Sequence, residues 1–173
     1  MLELSAKLLN QPVLSLRTGG QVAMAMEPIM NPNNLKVEGF RCIDQFDNRE
    51  LILVTQDIRD HIKDGFVIDD HEVLVEPEEL VRLKDVLKLN FILLGKPVYT
   101  DKKKRLGKVV DYAVDNETLY VQKLYVSQTI LKSLNAGQLT IDRSQIVEIT
   151  DRRVIVKDPL QGVKDTAPAT ALA

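Results

Sequence analysis

The residues with the greatest potential for chemistry are two histidines and the carboxylates next to one of them. His61 and His71 lie ten residues apart, and His71 belongs to the series Asp69-Asp70-His71-Glu72. Carboxylate oxygens and imidazole nitrogens are ligands for divalent cations. Consecutive side chains of an extended segment, however, point in alternating directions and cannot all converge on one ion. We therefore predict a solvated turn here, with binding of a divalent ion as the alternative.

No known catalytic motif is present. The sequence has no Gly-x-x-x-x-Gly-Lys-Ser/Thr loop, no His-Glu-x-x-His helix and no Gly-x-Ser-x-Gly elbow. Its single cysteine, Cys42, lies in the apolar-rich run 40–43, which predicts a buried and inert thiol. One cysteine excludes an internal disulfide and suits a reducing compartment. We expect a protein that is not an enzyme and needs no cofactor and no metal.

The densest group of charges is basic, and it lies in the second half of the chain. Four tyrosines come from the same region, and aromatic rings beside cations suit stacking on RNA bases. The basic residues are therefore the candidate contact with RNA or with another partner. The alternative is a charged hairpin loop that keeps a sheet edge from pairing. The basic residues are Lys102, Lys103, Lys104, Arg105 and Lys108, and the tyrosines are Tyr99, Tyr112, Tyr120 and Tyr125.

Charge is distributed unevenly along the 173 residues. The net charge is −2, which predicts no overall attraction to nucleic acid or to an anionic membrane. Residues 1–75 carry a net charge of −5 and residues 76–173 a net charge of +3. Such a difference can orient a protein toward a partner, although drift between two halves would also produce it. With no signal region and no long apolar run, the sequence predicts a cytoplasmic protein without a membrane span.

Short apolar runs separated by turn residues predict the elements that position these groups. Most runs read as strands bounded by glycine, proline, asparagine or aspartate. The exception is the stretch 76–88, where Pro77 suits a first helical turn and the apolar residues have helical spacing. We predict a helix there, between two β-rich regions. Its apolar residues are Leu80, Leu83, Val86 and Leu87.

Two stretches of the chain resemble each other. Leu94-Gly95-Lys96-Pro97-Val98, followed by Gly107-Lys108-Val109-Val110-Asp111, has an earlier counterpart in Leu9-Asn10-Gln11-Pro12-Val13, followed by Gly20-Gln21-Val22-Ala23-Met24. The order of strand, glycine turn, strand and closing strand is the same in both. Matching series in the same order indicate a duplication.

In these residues the chain resembles the PRC-barrel family. The family pattern has a Gly-x-Pro-Val strand, a Gly-x-Val-x-Asp strand and a closing Val/Ile strand, which match 95–98, 107–111 and 154–156, with Asp142 and Ile146 at the turn before the closing strand. In the first copy Asn10 replaces the first glycine, and Met24 stands near the expected aspartate. The resemblance covers residues 5–158 and implies small, strongly bent antiparallel β-barrels.

The resemblance also implies a domain organisation and a role. We expect a mainly β protein with a divergent first unit (1–75), a helical connector (76–89), a second unit (90–158) and a disordered tail (159–173). Members of the family dock on other proteins, in some cases close to RNA, without catalysis. The expected function is therefore a non-catalytic adaptor or scaffold that docks on a protein partner or on a second copy of itself. The alternative is an RNA- or ribosome-associated maturation or assembly factor that uses the basic loop 101–108.

Overall fold

The computed structural model of the protein describes residues 1–128 and 137–159. The fold of these residues is mainly β, as predicted, and the strands form two sheets. No helix within the described residues has the length and apolar character needed to cross a bilayer. The interpretations that fall on residues 129–136 and 160–173, including nearly all of the predicted tail, lie outside the described residues.

The first sheet has six strands in the order β5-β4-β3-β2-β7-β6. Neighbouring strands are antiparallel except β2 and β7, which are parallel. The expectation of a wholly antiparallel arrangement is wrong at this pair, where the closing strand meets the first strand of the unit. The strands are β2 (Gln11–Ser15), β3 (Gln21–Asn31), β4 (Lys36–Asp44), β5 (Glu50–Val54), β6 (Ile58–Ile62) and β7 (Gly65–Ile68).

The second sheet repeats this order. Six of its seven strands run β11-β10-β9-β8-β13-β12, and β8 and β13 are again the parallel pair. A seventh strand, β1, pairs with β9. The strands are β1 (Leu2–Leu4), β8 (Pro97–Thr100), β9 (Arg105–Asp115), β10 (Val121–Gln128), β11 (Gln138–Asp142), β12 (Ile146–Ile149) and β13 (Val154–Val156).

Strand pairing corrects the alignment of the two copies. Ala23 pairs with Asp44 in the first sheet, and Gly107 pairs with Gln128 in the second, 84 positions later in both strands. The residue equivalent to Gly107 is therefore Ala23 and not Gly20. The comparison of the two sequences matched Gly20 with Gly107 because both are glycines. Strand pairing instead matches Ala23 with Gly107, because each pairs with the equivalent residue of the next strand in its sheet.

The N-terminal strand crosses from one unit to the other. Leu2–Leu4 precedes the first sheet in the chain but pairs with β9 of the second sheet. Beyond it, Ser5 donates a 2.6 Å hydrogen bond from Oγ to Oδ1 of Asp111. The segment Leu2–Leu4 is therefore part of the second sheet, although it precedes the first sheet in the chain.

The two units meet through matching hairpin turns. The N–H of Val37 donates to Leu119 O, and the N–H of Val121 donates to Leu35 O, both at 2.9 Å. Leu35 and Leu119 have φ angles of 52° and 59°, a conformation that is strained for a bulky residue. Because the bonds are reciprocal and join equivalent residues, this contact has local two-fold character. A single cluster of buried apolar side chains includes residues of both units.

The predicted helix over 76–88 is confined to the end of that stretch. The structure has a short 3₁₀ helix, Pro77–Glu79, then a turn and an α-helix, α1 (Lys84–Leu89). Upstream, the N–H of Ile52 donates to Val75 O and the N–H of Val75 to Ile52 O, so the start of the connector is held extended against β5. This tertiary pairing overrides the helical spacing of the apolar residues.

Candidate functional site

The basic residues lie in and just after the tight loop between β8 and β9. Thr100, which is almost fully buried, holds this loop: its backbone N–H donates to Lys104 O at 2.8 Å, and its Oγ1 accepts the N–H of Lys104 at 3.1 Å. Lys102, Lys103, Lys104, Arg105 and Lys108 are all exposed. The loop therefore presents its cations from a rigid base.

These five cations have no carboxylate partner within the described part of the chain. The matching loop of the first unit is different, because Arg17 there forms a 2.6 Å ion pair with Asp70. Lys103 has a φ of 65°, where the first loop has Gly19 with a φ of 71°. The second loop thus keeps a lysine in a backbone conformation that favours glycine.

Only part of the predicted aromatic set is available beside the cations. Tyr112 is buried, and burial, with a smaller effect of the Asp111 charge, raises the pKa of its hydroxyl to about 12. The ring of Tyr120 lies between the units, 4.8 Å from the guanidinium of Arg143. Tyr99 is half-buried and pairs with Arg105 across the β8–β9 ladder. Of the four tyrosines, Tyr99 lies closest to the predicted contact.

The series Asp69–Glu72 is divided among separate partners. Asp69 accepts a bidentate interaction from Arg59, and the hydrogen bond from Arg59 lowers the pKa of the Asp69 carboxyl. Asp70 accepts from Ser15 and pairs with Arg17. No group of three or more potential metal ligands comes together in the described residues. Asp69, Asp70 and His71 thus have different partners, and His71–Val73 forms a 3₁₀ helix rather than the extended segment that the sequence analysis assumed.

His71 has a partner that the sequence did not indicate. Its Nε2 lies 2.8 Å from Oδ1 of Asp44, a carboxylate that is 2% exposed. The ring of Phe46 packs edge-on against the imidazole, with 5.3 Å between centroids. This contact joins the end of β4 to the segment that leaves β7. Only the chain reversal in the sheet brings residues 44 and 71 together, so no local pattern could have revealed the pair.

His61 lies at the contact between β6 and the N-terminal strand. Its Nε2 is 3.7 Å from Oε2 of Glu3, and its ring lies 4.6 Å from that of Phe66. The Nδ1 atom of His61 and Oε2 of Glu3 are buried without a hydrogen-bond partner. A long ion pair and two unsatisfied atoms describe a packing contact rather than a catalytic base, because nothing orients the imidazole toward a nucleophile.

An exposed apolar surface, also missed by the sequence analysis, lies on the connector. The side chains of Leu89, Ile92 and Leu94 are 57%, 62% and 40% exposed. Leu93 between them is buried, so the stretch after α1 alternates between the core and the surface. This alternation in an apolar run is a sequence signal that could have been recognised. We call Leu89, Ile92 and Leu94 the connector surface.

The connector surface borders a cavity of about 450 Å³. The ring of Phe91 forms part of its wall, and Nζ of Lys96 lies 4.6 Å from the centroid of that ring. Lys96 also donates to Asp151 O, which ties the connector to the loop after β12. The cavity is shaped by both units and the connector. Its lining residues are Pro32, Asn33, Leu89, Asn90, Phe91, Ile92, Lys96, Ile149, Thr150 and Asp151.

The single thiol of the chain lies in the core of the first unit. Cys42 is fully buried, and burial raises the pKa of its thiol to about 12, so it is a poor nucleophile near neutral pH. The basic loop and the connector surface are the two exposed features with a distinct chemical character. Comparison of the chain with models of known protein families and with curated protein sequences gives no match.

Proposed function

We propose that this protein is a non-catalytic docking module built from two PRC-barrel-like units. The shared strand order of the two sheets supports a duplication, and so does the 84-residue spacing between the β3–β4 ladder and the β9–β10 ladder. Asn10, which replaces the glycine of the family pattern, has a φ of 54°, and Gly95 has a φ of 82°. Asparagine is one of the few residues that adopt this conformation readily, so the substitution keeps the turn.

The connector surface is the observation that carries the docking role. Three large apolar side chains within six residues remain well exposed beside a cavity. A contiguous apolar surface next to a concavity is typical of a protein contact. Because the segment is attached at Val75 and at Lys96, it is presented in a fixed geometry. Binding there would therefore cost little ordering of the module.

The charges around the connector surface indicate the chemistry of the partner. Lys88 is exposed on α1 beside Leu89, and the exposed residues Arg152 and Arg153 follow the cavity residue Asp151. A cationic rim around an apolar centre is complementary to an apolar segment with acidic flanks. The proposed partner is therefore a protein segment with two or three large apolar side chains next to aspartate or glutamate.

A capture experiment with a matched control tests this role. The tagged full-length chain, Ile92→Asp and Val81→Asp are each used to capture proteins from cell extract, and captured proteins are quantified by mass spectrometry. Val81 is 84% exposed on the same connector but lines none of the connector cavities described, so its variant controls for an added surface charge. The captured amount of a specific partner should fall at least tenfold with Ile92→Asp and stay constant with Val81→Asp. The purified partner should likewise bind the wild-type chain and Val81→Asp equally and Ile92→Asp more weakly.

Equal capture by all three proteins would contradict the use of the connector surface. Recovery of the chain itself as the sole captured protein would contradict docking on a different partner. Association with a second copy of the chain would then be the remaining form of docking.

A second candidate function is contact with RNA or another anionic polymer through the basic loop. It is supported by the unpaired charge of this loop and by Lys103. A non-glycine residue in a left-handed conformation costs about 1–2 kcal/mol. The first unit avoids this cost with Gly19. Retention of a strained lysine in the second unit is consistent with a role for its charge.

Charge reversal separates this function from a general electrostatic effect. Binding of a labelled single-stranded RNA is measured for wild type, for the variant with Lys102, Lys103, Lys104 and Arg105 changed to Glu, and for a control with the exposed Lys7, Lys63, Arg82 and Lys84 changed to Glu. Both variants change the net charge equally. With four phosphate contacts, the slope of log K against log salt should be about −3 for wild type and for the control. RNA binding by the loop variant at wild-type strength would contradict the proposal.

A further inference from the structure

The outer edge of β5 in the first sheet is covered by the connector. The N–H of Ile52 donates to Val75 O at 2.7 Å, and the N–H of Val75 donates to Ile52 O at 3.1 Å. Leu74, next to this bridge, is buried. Val75 thus pairs with the outer edge of β5 at one point, directly after the 3₁₀ helix His71–Val73 and Leu74.

Strand β11 is the counterpart of β5. Arg41 of β4 and Tyr125 of β10 are equivalent residues, 84 positions apart. Ile52 pairs with Arg41 and Thr140 pairs with Tyr125, so Thr140 is the equivalent of Ile52. Its backbone N–H and C=O therefore point outward, as those of Ile52 do. Within residues 1–128 and 137–159, however, no backbone group pairs with the outer edge of β11.

Side chains of β5 are more deeply buried than their counterparts in β11, which lacks a partner equivalent to Val75 in the described residues. Leu51 is 3% exposed, whereas its counterpart Leu139 is only half-buried. Ile52 is fully buried, whereas Thr140 is exposed. The inner side chains Leu53 and Ile141 are fully buried in both sheets. Within the described residues, the outer edge of β11 therefore has a half-buried apolar side chain and backbone groups without a partner, where β5 pairs with Val75.

The outer strands β6 and β12 are irregular, whereas β11 is not. The ladder of β6 is interrupted between Ile58 and Asp60, and that of β12 between Ile146 and Glu148. Such bulges prevent strand addition at an edge. The five residues of β11 pair with β10 in continuous register. Of these outer strands, β11 is the one with the regular geometry that strand addition needs.

We propose that the outer edge of β11 binds an extended segment of another protein as an additional antiparallel strand. The residues around Val75 of this chain provide the template for the partner: an amide that pairs with Thr140, preceded by an apolar side chain that lies opposite Ile141. This surface is separate from the connector surface, and the two proposals can therefore fail independently.

A peptide with the sequence of residues 72–77 is the probe. Its binding to the full-length chain is measured by fluorescence anisotropy, together with hydrogen exchange of the Thr140 amide. A second peptide carries an N-methyl group on the amide equivalent to that of Val75, which removes the donor and blocks close approach. We expect saturable binding of the first peptide, slower exchange at Thr140, and at least tenfold weaker binding of the methylated peptide.

A protein variant provides an independent measurement. Thr140→Pro removes an outward N–H without removing a hydrogen bond between β10 and β11, so it should weaken peptide binding at least tenfold. The methylated peptide tests the same bond on an unaltered protein, in case this variant does not fold.

Three results would overturn the proposal. One is equal affinity for the two peptides. Another is strong protection of the Thr140 amide in the free chain, which would mean that other residues of the chain already cover the edge. The third is a dimer that Thr140→Pro dissociates, which would mean that a second copy is the occupant.

Discussion

Gly95 and Gly107, the glycines of the second copy, are required for different physical reasons. Gly95 has a φ of +82°, and a Cβ there would meet nothing within 4 Å. The backbone conformation therefore requires glycine or asparagine, and the first copy has Asn10. A Cβ on Gly107 would lie 1.6 Å from Ser127 O, so close approach of the strands excludes any side chain. Gly107 has a φ of +158°, whereas its equivalent in the first unit, Ala23, does not have a positive φ.

Substitution of the two glycines should separate these causes. Gly107→Ala must push β9 away from β10, and we expect a loss of at least about 3 kcal/mol in the free energy of unfolding, or failure to fold. Gly95→Asn should change it by less than about 1 kcal/mol, because the new residue tolerates the φ angle. Urea unfolding followed by circular dichroism measures both. Similar losses for the two variants would contradict the distinction.

The buried thiol of Cys42 should make the protein sensitive to alkali. Burial raises its pKa from 9.0 to about 12, opposed by a hydrogen bond with the backbone of Leu53. Above pH 9 the unfolded chain therefore loses this proton while the folded chain keeps it, and the free energy of unfolding falls as pH rises. The slope contributed is at most about 1.4 kcal/mol per pH unit.

Comparison with Cys42→Ala isolates this contribution. The variant is less stable at neutral pH because it leaves a cavity, but its stability should decline less steeply between pH 9 and pH 11. Denaturant unfolding at several pH values gives the two slopes. A thiol reagent at pH 8 should modify the wild-type protein only as fast as it unfolds. Parallel slopes, or rapid modification of the folded protein, would exclude the expected protection.

At the scale of elements, local signals predicted the strands better than the connector. The turn residues at 17–20, 31–34 and 115–118 each separate two paired strands, because their backbone preferences act locally. The helix predicted at 76–88 was too long, since the pairing of Val75 with Ile52 depends on a strand 23 residues away. The Asp44–His71 contact and the pairing of Leu2–Leu4 with β9 have the same non-local character. The five basic residues are exposed, but the loop is shorter than the predicted 101–108, because β9 begins at Arg105. The unpaired edge of β11 within the described residues could not be inferred before its register was known.

Arg143 is the side chain through which a short element of the second unit holds the first. It lies in the 3₁₀ helix Arg143–Gln145, which begins with a capping box between Asp142 and Gln145. Its guanidinium donates to Val121 O at 2.9 Å and to Asn34 O at 2.6 Å, and it lies over Tyr120. The hydrogen bond to Asn34 O crosses between the units, whereas the bond to Val121 O and the contact with Tyr120 hold the half-buried guanidinium within the second unit.

Arg143→Met should therefore lower the free energy of unfolding by about 2–3 kcal/mol, because two carbonyl groups lose their donor. Arg152→Met is the matched control. Arg152 is 90% exposed, and its ion pair with Asp151 is long, at 3.9 Å, so its loss should cost less than about 0.5 kcal/mol. Chemical unfolding measures both variants. A loss for Arg143→Met no larger than that of the control would show that the link is not important for stability.

For the whole molecule, the contacts between the units predict one cooperative unfolding transition. Reciprocal bonds join Val37 to Leu119 and Val121 to Leu35, β1 pairs with the second sheet, and one apolar cluster extends through both units. Separation of the units would expose buried apolar surface and break these bonds together. Neither unit should therefore remain folded when the other unfolds.

The distribution of aromatic residues allows a direct test. All four tyrosines lie between residues 99 and 125, in the second unit, and the chain has no tryptophan. Tyrosine fluorescence therefore reports on the second unit and, through Tyr120, on its contact with the first unit. Phe66 is fully buried in the first unit, with its ring centroid 4.4 Å from that of Phe40. Phe66→Leu should cost about 1–3 kcal/mol and lower the midpoint of thermal unfolding by about 3–10 °C.

If the units unfold together, the midpoint from tyrosine fluorescence must fall by the same amount as the midpoint from circular dichroism. Val156→Ala, in the core of the second unit, should likewise shift both signals together. A tyrosine midpoint that stays constant in Phe66→Leu while the circular dichroism midpoint falls would mean that the units unfold separately. The chain would then be two modules on a connector, and the cavity shaped by both units would open before either unit unfolds.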